Sequence, residues 1–141
     1  SRGHETVLLV EDEDAVRALF RLALTSAGYH VLEASDGQHA LDVAARHDRH
    51  IHLLVTDMVM PRVNGRVLIE RLKCLRPQLR VIAISGYPGD AGSHDQAFGD
   101  GVAFLQKPFA TTTLVNLARE VLDRIRTSAA ARCADGARTE S

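Results

Sequence analysis

The stretch LLVTDMVMPRVNG, residues 53–65, decides the fold. It begins with aliphatic residues, carries Asp57 at the end of that run and then turns through Pro61 and Gly65. A short apolar run bounded by turn-forming residues is typical of a buried strand followed by a loop. Because a carboxylate is costly to bury, Asp57 at the end of such a strand calls for a functional reason.

Four further segments share the length and composition of this strand, so that the predicted strands are 6–10, 30–34, 52–56, 80–85 and 102–105. The intervals between them follow the helical spacing of apolar residues. The first predicted helix uses Asp14 as its N-cap and ends at Gly28. The others run over 37–46, over 64–75 before Pro77, and from the cluster Thr111 to Thr113 through Ile125.

Two segments lack this order. Residues 88–101 are rich in Gly and Asp, which disfavour helix interiors, so we expect a short or loose helix there. Residues 127–141 have no apolar periodicity, and we expect a frayed or disordered tail. A chain of 141 residues suits one domain, which we predict to span residues 1–126.

Strands that alternate with helices predict an α/β fold, in which a parallel sheet is covered on both faces. In open sheets of this class, ligands bind beyond the carboxyl ends of the strands. Polar side chains follow four of the predicted strands at this point, namely Glu11 with Asp12, then Asp57, Ser85 and Lys107. These side chains are therefore the candidate site.

The residue types at the strand ends indicate a chemistry. Carboxylates that converge repel one another unless a cation neutralises them, and oxygen ligands favour a hard ion, Mg²⁺ before Ca²⁺. The ammonium group of Lys107 and the hydroxyl of Ser85 suit a phosphoryl group beside such a metal. An ionised Asp57 could then attack the phosphoryl group and form an acyl phosphate.

Composition argues against several other classes of protein. The net charge is −1 and no long Lys/Arg block occurs, so we expect no direct contact with nucleic acid. No apolar run approaches the length of about 18 to 20 residues that spans a bilayer, so we expect no membrane contact and a cytoplasmic location. His47, His50 and His52 are spaced too loosely for a metal site, and we expect them to lie in a solvated loop.

The segments LLVEDEDAVR, VTDMVMPRVNG, ISGY and FLQKPF, in this order, resemble the receiver domain of two-component response regulators. The resemblance covers about residues 5–126 and is strongest to receivers attached to hybrid sensor histidine kinases. It implies a flavodoxin-like (βα)5 fold, a doubly wound parallel five-stranded sheet of order 2-1-3-4-5. Ser1 in place of an initiating Met leaves open whether the chain is a piece of a longer protein.

The resemblance also implies roles for the acidic residues. Asp57 would be the phosphoacceptor, Asp12 a direct Mg²⁺ ligand, and Glu11 an acidic partner that acts through water. The backbone carbonyl of Val59 would complete the protein ligands of the metal.

Three more residues take their roles from the same resemblance. Ser85 would donate its hydroxyl to the phosphoryl group, and Lys107 would be the cation that pairs with it. The peptide bond between Lys107 and Pro108 would be cis. Phe104 would occupy the aromatic switch position, so Ser85 and Phe104 form the expected conformational switch.

The function that we expect is that of a phosphoacceptor signalling domain in a phosphorelay. A sensor histidine kinase or a histidine phosphotransfer domain would supply the phosphoryl group. The domain would not be an enzyme, although it would assist its own phosphorylation and dephosphorylation. The cognate kinase, the stimulus, the output, the lifetime of the phosphorylated state and the oligomeric state stay open.

Three alternatives remain at this point. The first is a phosphatase with an aspartyl nucleophile, but Val59 occupies the position two residues later where such enzymes carry their acid/base Asp. The second is an interaction module of the same fold that is never phosphorylated. The third is a flavin-binding flavodoxin relative, which would require a Ser/Thr-rich phosphate loop after the first strand.

Overall fold

The computed structural model describes residues 4–60, 63–86 and 102–124. The strands in these ranges are β1 (Thr6–Val10), β2 (His30–Ala34), β3 (Leu53–Asp57), β4 (Arg80–Ser85) and β5 (Val102–Gln106). The helices in the same ranges are α1 (Asp14–Ser26), α2 (Gly37–Arg46), α3 (Gly65–Leu75) and α4 (Thr111–Asp123). In these ranges β1, β2, β3 and β5 are each followed by a helix, as the sequence predicts.

All strand pairs are parallel, and the order in the sheet is β2-β1-β3-β4-β5. This order confirms the predicted α/β, flavodoxin-like class. The strands therefore all end at one side of the sheet, which we name the C-terminal edge, and all begin at the other, the N-terminal edge. The central strand β3 is buried along its whole length, from Leu53 to Asp57.

Alternate residues of each strand pack on opposite faces. Leu8 of β1 and Leu54 of β3 lie in a cluster with the buried residues of α2 and α3. Leu9 and Val55 belong to a second cluster with the buried residues of α1 and α4. Each strand thus supplies both layers of the core, which explains why the strands read as continuous apolar runs.

Several predicted boundaries differ from the structure by one residue. β3 begins at Leu53 and includes Asp57, and β5 extends to Gln106. The prediction that Asp14 caps α1 is wrong, because Glu13 holds the N-cap position and Asp14 is the first helical residue. The carboxylate of Asp14 instead pairs with Arg17 at 2.7 Å, which keeps negative charge at the positive end of the helix dipole.

Other local signals are confirmed. Gly28 ends α1 with a φ of 102°, a conformation that glycine adopts without the steric cost of a side chain. α3 begins one residue later than predicted, and Asn64 is its N-cap, accepting a hydrogen bond from the Val67 N–H at 3.0 Å. The segment 88–101 and the tail 127–141 lie outside the described residues. In the described part of the chain, no helix has the length and apolar character required to cross a membrane.

Candidate functional site

Strand periodicity places three of the candidate residues, Glu11, Asp57 and Lys107, on one face of the C-terminal edge. The residues two positions before Glu11, Asp57 and Lys107 are Leu9, Val55 and Leu105, and all three pack in the α1 and α4 layer. Continuing that alternation by one step points the three charged side chains to the same side of the sheet. Phe104 packs against the opposite cluster, beside α2 and α3.

Three carboxylates meet at this edge, as the sequence predicts. One oxygen from each of Glu11, Asp12 and Asp57 lies within 4.8 Å of the other two. Glu11 and Asp57 are buried, whereas Asp12 is exposed to solvent. The group is therefore accessible from one side and closed on the other.

Glu11 is the most constrained member of the group. Its Oε2 atom accepts a hydrogen bond from the Glu13 N–H at 3.2 Å, whereas its buried Oε1 atom has no hydrogen-bond donor in the described part of the chain. Burial, together with the charge of Asp57, raises the pKa of Glu11 above its ordinary value. A buried carboxylate oxygen without a hydrogen-bond donor, in a residue close to two other carboxylates, is a position that favours a cation.

Lys107 supplies positive charge to the same group. Its Nζ atom lies 3.3 Å from Asp57 Oδ2 and 3.6 Å from Glu11 Oε1. Burial alone would lower the pKa of Lys107, but the negative charges of Asp57 and Glu11 outweigh burial and raise it. One ammonium charge balances only part of the charge of three carboxylates, so the group still carries negative charge that a further cation would neutralise.

The loop after β3 holds Asp57 in a defined orientation. The Val59 N–H donates to Asp57 Oδ1 at 3.2 Å, which leaves Oδ2 toward Lys107. The Met58 N–H donates to the Ile84 carbonyl at 2.9 Å and ties the start of the loop to β4. The two oxygens of Asp57 therefore have different surroundings, and one of them lies beside a cation.

Ser85 and Lys107 are joined through the backbone. Ser85 is buried at the end of β4, one residue beyond the partner of Asp57 in the sheet, and its carbonyl accepts from the Lys107 N–H at 2.8 Å. The peptide bond between Lys107 and Pro108 is cis, as the resemblance implies. The structure thus brings all the sequence-predicted residues to one edge, with Phe104 on the far face of β5.

One contact of the site is not predicted by the sequence. Arg17 donates from Nη1 to the backbone carbonyl of Glu11 at 2.7 Å, and its Nε atom lies 3.4 Å from Glu33. The side chain of Arg17 therefore fixes the backbone of the acidic pair from α1. The available signal was a basic residue one helical turn after Asp14, which sequence reasoning treats as a surface charge.

The donor set fits a hard divalent cation. The acidic group consists of carboxylate oxygens, which is the ligand type that Mg²⁺ prefers, and the buried Glu11 Oε1 atom lacks a donor. Asp12, Asp57 and the Val59 carbonyl are the residues that would hold the ion, with Glu11 behind them. The charge and composition of the site agree with the predicted Mg²⁺.

The sequence model of the response regulator receiver domain family matches residues 7–119. The chain belongs to this family. Receiver domains act with histidine kinases or phosphotransfer proteins in two-component signalling. The family assignment agrees with the acidic group and the lysine that the structure brings together.

The relatives of this receiver domain include both large and small proteins. The sensor kinase CckA of Brucella abortus (strain 2308) is 38% identical over 122 residues, which cover 86% of this chain and 13% of that protein. The response regulator receiver protein CpdR of the same organism is 33% identical over 116 residues, which cover 82% of this chain and 95% of that protein. The chain thus spans a small part of CckA and nearly all of CpdR.

Solved structures give the same result. The crystal structure of the receiver domain of the hybrid histidine kinase CckA has a TM-score of 0.72 and 36% identity, and the match covers 84% of this chain and 99% of that one. The chemotaxis response regulator CheY4 of Vibrio cholerae has a TM-score of 0.73 at 24% identity, which supports the fold. This receiver domain is therefore related to receivers of hybrid kinases and to free-standing ones.

Proposed function

We propose that Asp57 accepts a phosphoryl group from a phosphohistidine in a Mg²⁺-dependent reaction, and that the chain is a phosphoacceptor signalling domain. The observation that carries the proposal is the position of Lys107 Nζ, 3.3 Å from Asp57 Oδ2, within a group of three carboxylates. The lysine can pair with an incoming phosphoryl oxygen without leaving Asp57. The domain proposed to perform this function spans residues 1–126.

The side chains divide the work of transfer. Asp57 presents an oxygen to the phosphorus atom, while the Val59 N–H restrains the other oxygen at 3.2 Å. The new oxygen–phosphorus bond forms as the phosphorus–nitrogen bond of the donor breaks, and the imidazole nitrogen keeps that electron pair. Mg²⁺, when bound by Asp12, Asp57 and the Val59 carbonyl with Glu11 behind them, supplies the charge that neutralises the developing negative oxygens.

The phosphorylated state ends by hydrolysis. Water attacks the phosphorus atom of the acyl phosphate, the bond to Asp57 breaks, and inorganic phosphate and the carboxylate are regenerated. The residues that favour phosphorylation also favour this step, because Lys107 stabilises the same phosphoryl oxygens. The chain therefore assists its own phosphorylation and dephosphorylation without turning over a separate substrate, and in this sense it is not an enzyme.

The surface next to the site suits a helical partner. The exposed face of α1 carries apolar residues at i, i+3, i+4 and i+7, namely Ala15, Ala18, Leu19 and Leu22. Leu19 and Leu22 are 53% and 59% exposed, and α1 begins two residues after Asp12. Such a stripe fits against a helix of a histidine kinase or a phosphotransfer domain. We assign this partner to the cytoplasm, where the phosphoryl group would be transferred.

The output is a conformational switch at β4 and β5. Ser85 follows the phosphoryl group with its hydroxyl, and Phe104, partly buried against the α2 and α3 cluster, repacks in response. Phe104 has no hydroxyl, so its switching depends on ring packing. The relation to CckA favours attachment to a hybrid kinase, and this switch would then control the attached kinase.

The decisive experiment is phosphorylation by a small phosphodonor. The purified chain is incubated with phosphoramidate and Mg²⁺ and followed by intact mass spectrometry. One added phosphoryl group is expected, and it should be absent in Asp57→Asn and with EDTA. Asp48→Asn is the matched control, because Asp48 is an exposed aspartate before β3, at the N-terminal edge.

Two results would contradict the proposal. A phosphoryl group that persists in Asp57→Asn would place the acceptor elsewhere, and a chain that gains none would be an interaction module. Rapid turnover of many phosphomonoesters would instead indicate the phosphatase. Transfer from a phosphohistidine kinase should also fall in Leu19→Glu while phosphorylation by phosphoramidate continues.

A further inference from the structure

Gly37 occupies an unusual position, because it is the buried first residue of α2. The start of this helix is held firmly. Asp36 accepts from the His39 N–H at 2.8 Å, and its carbonyl accepts from the Ala40 N–H at 2.9 Å. Glycine is a poor helix former, so its use in a well-capped first turn requires a separate reason.

The reason is the space around Gly37 and not its backbone conformation, since positive φ among the glycines of the described ranges is found at Gly28. A Cβ atom at Gly37 would lie 2.2 Å from the carbonyl oxygen of Val63 and 2.7 Å from the Val63 Cβ. Both distances are far below van der Waals contact. The backbone of residue 63 therefore lies directly against the first turn of α2.

Val63 lies between β3 and α3, as Val59 does. The described residues at the two ends of this connection, Met58 and Gly65, are fixed by backbone hydrogen bonds. The Met58 N–H donates to β4, and the Met58 carbonyl accepts from the Gly65 N–H at 3.2 Å. The contact with α2 therefore acts on a segment that is closed at its base.

The second glycine of this region acts at the base of the same loop. A Cβ atom at Gly65 would lie 2.6 Å from the carbonyl oxygen of Asp57, so α3 also begins in direct contact with the phosphoacceptor strand. Asp57 and Met58 thus lie against the start of α3, and Val63 lies against the start of α2. Val63 is two residues before Gly65, and Gly65 is hydrogen-bonded to Met58, the neighbour of Val59, so the described residues connect the contact at Gly37 with Val59.

We propose that Gly37 is a positioning residue for the phosphoacceptor loop. By lacking a side chain, it allows α2 to hold Val63, and with it the Val59 carbonyl, in the place required beside Asp57. Gly37 itself touches neither metal nor phosphate. The inference rests on the proposed function, because it assigns to α2 the support of a proposed metal ligand.

The test is Mg²⁺ affinity in Gly37→Ala, measured by NMR titration of the loop amides. We expect the dissociation constant for Mg²⁺ to rise about tenfold, the lower end of what the loss of a supporting contact costs a metal site. The rate of phosphorylation by phosphoramidate should fall at low Mg²⁺ and recover largely at saturating Mg²⁺. A purely structural role would lower stability without this dependence on Mg²⁺.

Two control variants separate position from general effects. Gly86→Ala makes the same substitution at the same edge, where a Cβ atom would have no neighbour within 4 Å. Ala44→Gly weakens α2 at a buried position far along the helix from Val63. Both should bind Mg²⁺ as the wild type does, although Ala44→Gly should lower the free energy of unfolding by about 1 kcal/mol.

A second variant approaches the contact from the loop. Val63→Gly removes the Cβ atom that faces α2 and frees the backbone, so it should also weaken Mg²⁺ binding, and it decides the question if Gly37→Ala does not fold. Wild-type affinity in both variants, in a chain that binds Mg²⁺ and gains phosphate, overturns the role of Gly37. A wild-type chain that does neither overturns the proposed function itself.

Discussion

At the C-terminal edge of the sheet, Glu11, Asp12 and Asp57 lie close together, and Glu11 Oε1 has no hydrogen-bond donor in the described ranges. Near the N-terminal edge, by contrast, arginines donate hydrogen bonds to oxygen acceptors. Arg80 is buried and donates to the last carbonyls of α4, reaching Val121 at 2.6 Å.

Two other arginines behave in the same way. Arg76 donates to the carbonyls of Ala44 and His47, at 3.0 and 2.8 Å, at the end of α2. Arg119 pairs with Glu5 at 2.7 Å. The arginines near the N-terminal edge have hydrogen-bond acceptors and so stabilise the fold. The carboxylates at the C-terminal edge lack some of their donors and are therefore suited to bind a ligand, so the two edges differ in role.

The largest expected effect on stability is at the N-terminal edge. Arg80→Met keeps most of the apolar stem but leaves the carbonyls at the end of α4 without their donor. We expect the free energy of unfolding, measured by urea denaturation, to fall by about 3 kcal/mol, since unsatisfied buried polar groups each cost about 1 to 3 kcal/mol. Mg²⁺ affinity should not change.

The control for this variant is Arg21→Met. Arg21 is partly exposed and pairs with Glu33 at 3.2 Å on the surface of α1. Exposed ion pairs contribute about 0 to 1 kcal/mol, so this variant should stay close to the wild type. A loss of equal size in the two variants would show that Arg80 has no special role as a helix cap.

The second prediction concerns the acidic group at the C-terminal edge. Mg²⁺ at about 100 times its dissociation constant should raise the free energy of unfolding by about 2.7 kcal/mol relative to EDTA. Glu11→Gln should lose most of this increment because it removes one of the three carboxylates. The same ionic strength of NaCl controls for screening, and an equal gain with NaCl would rule out a specific site.

Sequence reasoning predicted the C-terminal edge far better than the N-terminal edge. Asp57 and Lys107 follow apolar strands of a parallel sheet, and topology alone brings such residues together. Arg80 at the N-terminal edge acts through a contact with Val121 of α4, 41 positions away in the chain. Gly37, at the C-terminal edge, was missed for the same reason, because its contact with Val63 joins residues 26 positions apart. No local pattern indicates such partners.

The start of α1 also differs from the prediction. Asp is a preferred N-cap residue, so the sequence favours Asp14, but Glu13 holds that position in the structure and its side chain makes no capping hydrogen bond. The roles of Ser85 and Phe104 stay predictions. His52 lies in the loop before β3, as the sequence predicts, but it is partly buried, and its Nδ1 atom accepts a hydrogen bond from the Thr6 N–H at 3.0 Å.

The third prediction uses the pH dependence of the Glu5 and Arg119 pair. The hydrogen bond from Arg119 lowers the pKa of Glu5 from 4.5 to about 2. Because the folded value is the lower one, the stabilisation is complete above pH 4.5 and is lost as the pH falls toward 2. Over this window the wild type should lose about 2 kcal/mol more than Glu5→Gln in urea denaturation.

Glu120→Gln is the control for this pH series. Glu120 pairs with Arg124 at 2.9 Å and is 64% exposed, so its removal should leave the acid sensitivity of the chain unchanged. Equal acid profiles for Glu5→Gln and the wild type would show that the pair near the N-terminal edge contributes nothing to stability.

The smallest expected effect on stability also lies at the N-terminal edge, at His52. Burial, and after it the charge of His50, lowers the pKa of His52 below its ordinary value, and Glu5 and His4 also act on it. Arg80 lines the same cavity as His52. Because Nδ1 accepts from Thr6, the native ring is neutral, with its proton on Nε2.

Protonation of His52 replaces this acceptor with a donor that faces the Thr6 N–H. The folded pKa is the lower one, so the stabilisation is complete above the unfolded value of about 6.5 and decreases as the pH falls through it. His52→Asn supplies an oxygen acceptor that does not titrate, and it should abolish a loss of less than about 1 kcal/mol between pH 8 and 5.5, the net value of one hydrogen bond. Equal losses in both chains would show that the bond does not report on pH, and even the expected loss is small because the N-terminal edge is built from charges that already have partners.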